Sequence, residues 1–155
     1  MAFKLRGKAG ALAGAVSLAV GLLVGLEGRH PDGVYVDIAG VLTDCYGNTK
    51  NVKRGWVRSE AECKALLEGE AERIGTYIQA DVPDIPESVL AATISWAYNV
   101  GEGNVAASTL AKRFQKGEAD YGRIIREEFP KWRSKGLTAK RRAAEIRLAE
   151  SDGFE

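Results

Sequence analysis

An uncharged run near the N-terminus is the feature that most limits how this chain can fold. The run covers 18 residues, from Ala9 to Leu26, and ends at Glu27. It has no polar face of the kind that an amphipathic surface helix shows. Nine of its 18 residues are Gly or Ala, which bury little apolar surface when they leave water. The run therefore predicts either a weakly held membrane segment or a helix of a soluble core.

The residues that flank the run favour the membrane interpretation. Lys4, Arg6 and Lys8 precede it, as basic residues precede signal peptides and anchors. A cleaved signal peptide should end in a small-x-small site, whereas this run ends Val24-Gly25-Leu26. A permanent anchor needs about 20 strongly apolar residues. We expect residues 9–26 to enter the inner membrane uncleaved and later leave it, with the basic residues cytoplasmic.

The bulk properties exclude several classes of protein. A chain of 155 residues is one domain, and the part after the run is long enough to bury a core. The net charge of +1 gives no argument for a nucleic-acid partner. The single histidine, His30, and the spacing of Cys45 and Cys63 give no metal signature. We expect a monomer without cofactor or metal, and either a Cys45–Cys63 disulfide or two buried thiols.

The remaining sequence predicts an α+β fold. Alternation of Val34 and Val36 with polar or aromatic residues predicts a small β-hairpin or a three-stranded sheet over residues 33–50. Ser59-x-x-Glu62 is a capping box that starts a helix. The stretch 81–87 closes that helix, and Pro86 suits the first position of the next one, which Gly101 and Gly103 end. Three further helices are predicted over Ser108–Gln115, Ala119–Phe129 and Thr138–Glu150.

Three residues after the run suggest chemistry. Glu27, Asp37 and Thr43 supply a carboxylic acid, a second carboxylate and a hydroxyl, which acid–base hydrolysis of a glycosidic bond requires. Shielding of Glu27 beside the apolar run would favour its protonated form. Asp32 and Asp44 compete with Asp37 as the second carboxylate, and spacing alone leaves all three open.

Three ordered blocks carry a family resemblance over nearly all the chain beyond residue 26. The first is Glu27-Gly28 with Tyr35-x-Asp37-x-x-Gly40-Val41-x-Thr43-x-Cys45-Tyr46-Gly47-x-Thr49. The second is Ala97-Tyr98-Asn99-Val100-Gly101-x-Gly103-Asn104 with Ser108-Thr109-Leu110. The third is Trp132, Gly136-Leu137 and Arg141-Arg142-x-x-Glu145. Together they resemble the phage lysozymes of glycoside hydrolase family 24.

The resemblance implies a lysozyme-like fold, with a small antiparallel sheet and a mainly helical C-terminal lobe. It implies an endolysin that hydrolyses the β-1,4 bond between N-acetylmuramic acid and N-acetylglucosamine, with Glu27, Asp37 and Thr43 at the catalytic positions. The Glu27-to-Asp37 interval of ten positions is one longer than usual for the family. The apolar run resembles a signal-anchor-release segment, so we expect residues 1–26 to tether a catalytic domain of residues 27–155 on the periplasmic side.

Two other interpretations stay open at this point. A lytic transglycosylase needs only the acid and forms an anhydro product, and the presence of Asp37 and Thr43 argues against it. A membrane-tethered protein that binds the cell wall without cleaving it would not need Glu27.

Overall fold

The computed structural model describes residues 8–28, 33–37, 39–132 and 138–151. These residues contain seven α-helices and two short strands. The elements in chain order are α1 (Lys8–Glu27), β1 (Tyr35–Val36), β2 (Leu42–Thr43), α2 (Glu60–Asp81), α3 (Glu87–Val100), α4 (Glu102–Ala107), α5 (Thr109–Gln115), α6 (Tyr121–Glu128) and α7 (Thr138–Glu150). A 3-10 turn, Phe129–Lys131, follows α6.

The two strands form the small antiparallel sheet that the sequence predicts. Tyr35 pairs with Thr43 and Val36 pairs with Leu42. A second turn follows directly, where Asp44 and Asn48 form an isolated antiparallel bridge. The described residues contain this two-stranded sheet and no third strand, while Ile38 lies outside them.

Helix α3 is the centre of the core. Every residue from Ser88 to Ala97 is buried, and a helix that is apolar nearly all round requires cover on every side. Helices α1, α2 and α7 supply that cover by packing against α3. The Trp96 ring, fully buried, stacks on Phe129 with ring centroids 5.4 Å apart, so it is structural.

Helix α1 packs on the domain as one of these core helices. Ala15, Ala19 and Leu23 are fully buried, and α1 contacts both α2 and α3. Small residues permit the close approach: a Cβ on Gly14 would overlap the carboxylate of Glu87, and a Cβ on Gly75 of α2 would lie 2.7 Å from Leu12. In this form of the protein, α1 therefore packs against the core along one side.

The helix boundaries follow the sequence with local differences. The Ser59–Glu62 capping box is present, and α7 spans the predicted residues. Pro86 is the N-cap of α3 and not its first helical residue, since its ψ of 147° is extended while its carbonyl accepts the first helical hydrogen bond, from Leu90. Gly103 does not end a helix, because it lies inside the unpredicted helix α4.

A second local difference concerns α6. The predicted helix Ala119–Phe129 is shorter in the structure, because the Asp120 side chain caps Arg123 N–H and starts the helix at Tyr121. Its C-terminal end passes into the 3-10 turn that contains Pro130, where the proline cannot continue an α-helical hydrogen-bond ladder.

Cys45 and Cys63 form a disulfide. The bond joins the turn after β2 to the first turns of α2. Of the two possibilities that the sequence left open, the bridge is therefore the one observed, and it anchors the turn that faces Glu27.

Candidate active site

Glu27 is the last residue of α1, and Gly28, with a φ of +66°, ends the helix. The Glu27 side chain is about one-fifth exposed. Its Oε1 accepts a hydrogen bond of 2.5 Å from Nη1 of Arg141. A carboxylate at a helix C-terminus is disfavoured by the helix dipole, and the guanidinium offsets this. The sequence predicted apolar surroundings for Glu27, whereas the structure places a cation, Arg141, next to its carboxylate.

Arg141 belongs to a buried network of charges. Its Nη2 donates to the carbonyl of Ser95 at 2.8 Å, and its Nε donates to Glu145 Oε2 at 3.3 Å. Glu145 is fully buried and also accepts hydrogen bonds of 2.6 Å from Ser95 Oγ and from Arg142 Nη1. Arg141, Arg142 and Glu145 therefore form a buried ion cluster and not an exposed surface pair.

Arg142 extends the network toward the end of α3. Its guanidinium donates to Asn99 Oδ1 at 2.5 Å and to the Trp132 carbonyl at 3.1 Å. Burial lowers the pKa of Arg142, while the nearby charge of Glu145 opposes that shift. Because two arginines share the Glu145 carboxylate, helix α7 fixes Arg141 in one orientation toward Glu27.

The opposite wall of the site is the turn Cys45–Gly47. The Tyr98 hydroxyl donates to the Tyr46 carbonyl at 2.5 Å, and the Tyr46 hydroxyl bonds Glu60. Gly47 has a φ of +82°, and a Cβ there would lie 3.4 Å from Glu27 Oε2. Glu27 therefore presents one oxygen to Arg141 and the other to this turn.

Asp37 lies directly after β1. Its N–H donates to the Val41 carbonyl at 2.9 Å, and its Oδ1 accepts from Val41 N–H at 2.9 Å. Asp37 is half-buried, so its carboxylate remains accessible to solvent. Thr43, on β2, is buried, and its hydroxyl donates to the Val41 carbonyl at 3.0 Å. The hairpin turn thus holds both predicted residues through Val41.

Asp44 is committed to structural contacts. Its side chain is buried, lies 3.2 Å from Arg58 Nε and accepts a 2.7 Å hydrogen bond from the Asn48 amide. These contacts leave Asp37 as the more accessible carboxylate of the two. Asp32, the third candidate, lies outside the described residues, as does His30.

The pKa of the Tyr35 phenol reflects burial and three nearby negative charges. Partial burial raises the pKa of the Tyr35 phenol most, and the negative charges of Glu27, Asp37 and Asp44 raise it further. The charges of these three carboxylates thus act on one phenol. That Glu27 and Asp37 share one site stays a prediction.

A cleft of about 470 Å³ adjoins the site. Gly47, Tyr98, Arg58 and Glu102 are among the residues that line it, and Gly47 also faces Glu27. In the described part of the chain, no group of three or more His, Cys, Asp or Glu residues is arranged to hold a metal ion. The chemistry open to this arrangement is proton transfer by a carboxylic acid next to a cleft.

Sequence reasoning missed two supporting residues of the site. Tyr98 was placed in the second block of the family resemblance and Arg141 in the third, neither with a link to Glu27. A paired Arg-Arg three residues before a Glu on one helix was a usable signal for a buried ion cluster. No signal in the sequence indicated that Tyr98 would bond the turn at Tyr46.

Comparison with known proteins shows the class of protein, a lysozyme-type glycoside hydrolase. The family model described as "Phage lysozyme" matches residues 25–145. The chain is 41% identical over 120 residues to a SAR-endolysin of Bacteriophage PS119, covering 74% of this chain and 69% of that protein. It is 40% identical over 118 residues to a SAR-endolysin of Bacteriophage PS34, covering 72% and 68%.

The fold also resembles a solved structure, the active form of the P1 phage endolysin Lyz. The TM-score is 0.70 at 24% identity, and the alignment covers 87% of this chain and 84% of that one. The chain belongs to the phage lysozyme family. It is an endolysin with an N-terminal apolar helix, and its substrate is peptidoglycan.

Proposed function

We propose that Glu27 is the general acid that protonates the leaving oxygen of the β-1,4 bond between N-acetylmuramic acid and N-acetylglucosamine. One observation carries this assignment: while Oε1 of Glu27 contacts Arg141, its Oε2 faces Gly47, a residue that lines the cleft. Oε2, which faces Gly47 and not the arginine, is the oxygen suited to deliver a proton.

Asp37 and Thr43 organise the attacking water in this proposal. Asp37 has the accessible carboxylate, and Thr43 lies on the paired strand of the same hairpin. A general base opposite a general acid gives an inverting hydrolysis, in which water attacks the anomeric carbon directly. Asp44 is unsuited to this role because Arg58 and Asn48 occupy its carboxylate.

The membrane form has a different arrangement of the same chain. The stretch Ala9–Glu27 has a mean hydropathy of 2.1 and is long and apolar enough to cross a membrane, by length and composition. While residues 1–26 are held in the inner membrane, Glu27 lies at the headgroups and cannot meet Arg141 across the folded domain. Release into the periplasm lets α1 pack on α2 and α3, which brings Glu27 into the site of residues 27–155.

We expect the purified protein to be a monomer. Its ability to clear peptidoglycan tests the proposed muramidase activity and the role of Glu27 as its acid. Wild type should clear purified peptidoglycan and release reducing ends, and Glu27→Gln should do neither. Glu68→Gln, which neutralises an exposed carboxylate on α2, is the matched control and should behave as wild type. Anhydro products would instead establish a transglycosylase. Binding without loss of polymer mass would indicate a wall-binding protein.

Deletion of residues 1–26 tests the role of the released helix. The deletion removes Ala15, Ala19 and Leu23 from the core and leaves Glu27 at a free chain end. We expect loss of clearing by the truncated protein. Full activity after the deletion would contradict the proposal that packed α1 positions Glu27.

A further inference from the structure

A surface loop beside the cleft concentrates positive charge. Residues 45–59 contain four basic residues, Lys50, Lys53, Arg54 and Arg58, and no Asp or Glu. The net charge of the whole chain is only +1, so this accumulation is local. Residues 53–57, called here the cationic turn, are all exposed, with Trp56 at 43% and Val57 at 70%.

The cationic turn has a defined conformation. Trp56 N–H donates to the Lys53 carbonyl at 3.2 Å, and Gly55 has a φ of +84°, as in a β-turn that requires glycine at its third position. Lys53 Nζ lies 5.0 Å from the Trp56 ring centroid, a cation–π distance. The turn therefore presents its charges from an ordered backbone.

Two of the four cations form ion pairs with carboxylates of the protein, and the other two can bind a ligand. Lys50 bonds Glu70, and Arg58 pairs with Asp44. Lys53 and Arg54 form no ion pair with any residue that the structure describes. An exposed pair of cations without carboxylate partners, next to an exposed tryptophan, suits an anionic ligand.

The position of the turn indicates which anion. A hollow of about 700 Å³ is lined by Gly55, Trp56 and Val57 of the cationic turn and by Arg58, Glu62, Ala65 and Leu66. Arg58, Ala65 and Leu66 also line the cleft to which Gly47 contributes. The cationic turn therefore continues the surface on which the polymer substrate would lie. A ligand that reaches it is attached to, or part of, that polymer.

We propose that the cationic turn binds the carboxylates of the acidic stem peptides that peptidoglycan carries, through Lys53 and Arg54. This inference rests on the proposed function, because it requires the glycan to occupy the adjoining cleft. The N-acetylated sugars of the glycan are neutral, so its peptide branches supply the negative charge that complements the turn. The contact lies away from the scissile bond and contributes to substrate binding rather than to the chemical step.

Kinetics on two forms of one substrate test the proposal. Solubilised peptidoglycan is compared with the same material after its carboxylates are amidated with ammonia and a carbodiimide, using the full chain and reducing-end release. For the double variant Lys53→Gln/Arg54→Gln we expect KM on untreated substrate to rise roughly three- to tenfold, with kcat unchanged, as for loss of two exposed ion pairs. On amidated substrate its KM should equal that of wild type.

A matched control separates the turn from net charge. Lys112→Gln/Lys116→Gln removes two exposed cations of α5 and its C-terminal end, outside both hollows, and should retain the wild-type KM on untreated substrate. An equal rise in KM for this control, or a rise for the turn variant on both substrates, would overturn the proposal.

Sedimentation with phosphatidylglycerol vesicles covers the competing partner, an anionic membrane. Loss of vesicle binding by the turn variant with an unchanged KM on peptidoglycan would overturn the assignment in favour of lipid. If wild type cleaves neither substrate, the proposed function itself fails, which is a different result from a turn variant that matches wild type on both.

Discussion

The guanidinium of Arg141 contacts the carboxylate of Glu27 at 2.5 Å, which joins residues 114 positions apart in the chain. Glu27 ends α1 and Arg141 lies in the first turn of α7. The contact therefore exists only when the apolar N-terminal helix and the last helix are both packed on α3. In this geometry, docking of α1 is what brings Glu27 to Arg141.

Replacement of Arg141 by Gln should impair both activity and stability. The change removes the Ser95 carbonyl's Arg141 donor and one of the two arginines that pair with Glu145, leaving Arg142 and the Ser95 hydroxyl on that carboxylate. Breaking a buried ion pair costs about 3–5 kcal/mol. Urea denaturation measures the stability, and reducing-end release measures the rate. Arg141→Lys keeps the charge without the forked geometry, so its stability and its rate should lie between those of wild type and of Arg141→Gln. Wild-type stability for Arg141→Gln would contradict the buried network.

Tyr98→Phe should weaken the turn that faces Glu27. The variant loses the hydrogen bond to the Tyr46 carbonyl, a loss of roughly 0.5–1.5 kcal/mol. We expect a lower rate of peptidoglycan hydrolysis as Gly47 moves away from Glu27. Tyr121→Phe, on a partly buried tyrosine of α6, is the control. A rate equal to that of wild type for Tyr98→Phe would show that the turn holds its place without this bond.

The raised pKa of Tyr98 predicts that the stability of the fold depends on pH in the alkaline range. Burial raises the pKa of Tyr98 above its ordinary value of 10.0, followed by the charge of Glu27. Above pH 10 the unfolded chain releases this proton while the folded chain retains it, so the free energy of unfolding falls as pH rises. Denaturation between pH 8 and pH 11 should show a steeper loss for wild type than for Tyr98→Phe. Parallel curves would contradict a raised Tyr98 pKa.

Local signals in the sequence predicted the elements well. The Ser59–Glu62 capping box and the apolar spacing of α7 are properties of a few neighbouring residues, and both appear as expected. Helix α4 was not predicted, because its sequence Glu102–Ala107 contains a glycine and only one buried residue, Val105. Its formation depends on packing beside α3 and α5, and a short stretch of sequence does not show which helices will pack together.

The sequence predicted candidate residues for the site and not its geometry. Glu27, Asp37 and Thr43 were predicted from residue type, order and family resemblance, and their catalytic roles stay a prediction. Arg141 contacts Glu27 only through the tertiary fold, and Tyr98 reaches Tyr46 across 52 positions. Side-chain contacts at such separations leave no periodic trace, so the cation beside Glu27 had to come from the structure.

The Cys45–Cys63 disulfide should stabilise the fold and preserve the site. It closes a loop with a sequence separation of 18, for which the chain-entropy account gives about 3 kcal/mol. Cys45→Ser/Cys63→Ser should therefore lower the denaturation midpoint, and it should reduce activity because the turn at Gly47 loses its tether to α2. A reducing agent should shift wild type toward the variant and leave the variant unchanged. A shift of both alike would show an effect unrelated to this bond.

Variants at two alanines of α1 distinguish the strength of membrane binding from packing of the helix in the released enzyme. Ala15 is fully buried against the domain, whereas Ala13 is exposed. Leu at either position adds the same apolar surface to the segment, so both variants should leave a membrane more slowly and delay lysis. Only Ala15→Leu overfills the packed interface, at a cost of about 1–3 kcal/mol. The soluble Ala15→Leu protein should therefore clear peptidoglycan more slowly than Ala13→Leu, which should match wild type. Equal activity of the two soluble proteins would mean that α1 does not need this packing to present Glu27 to the substrate.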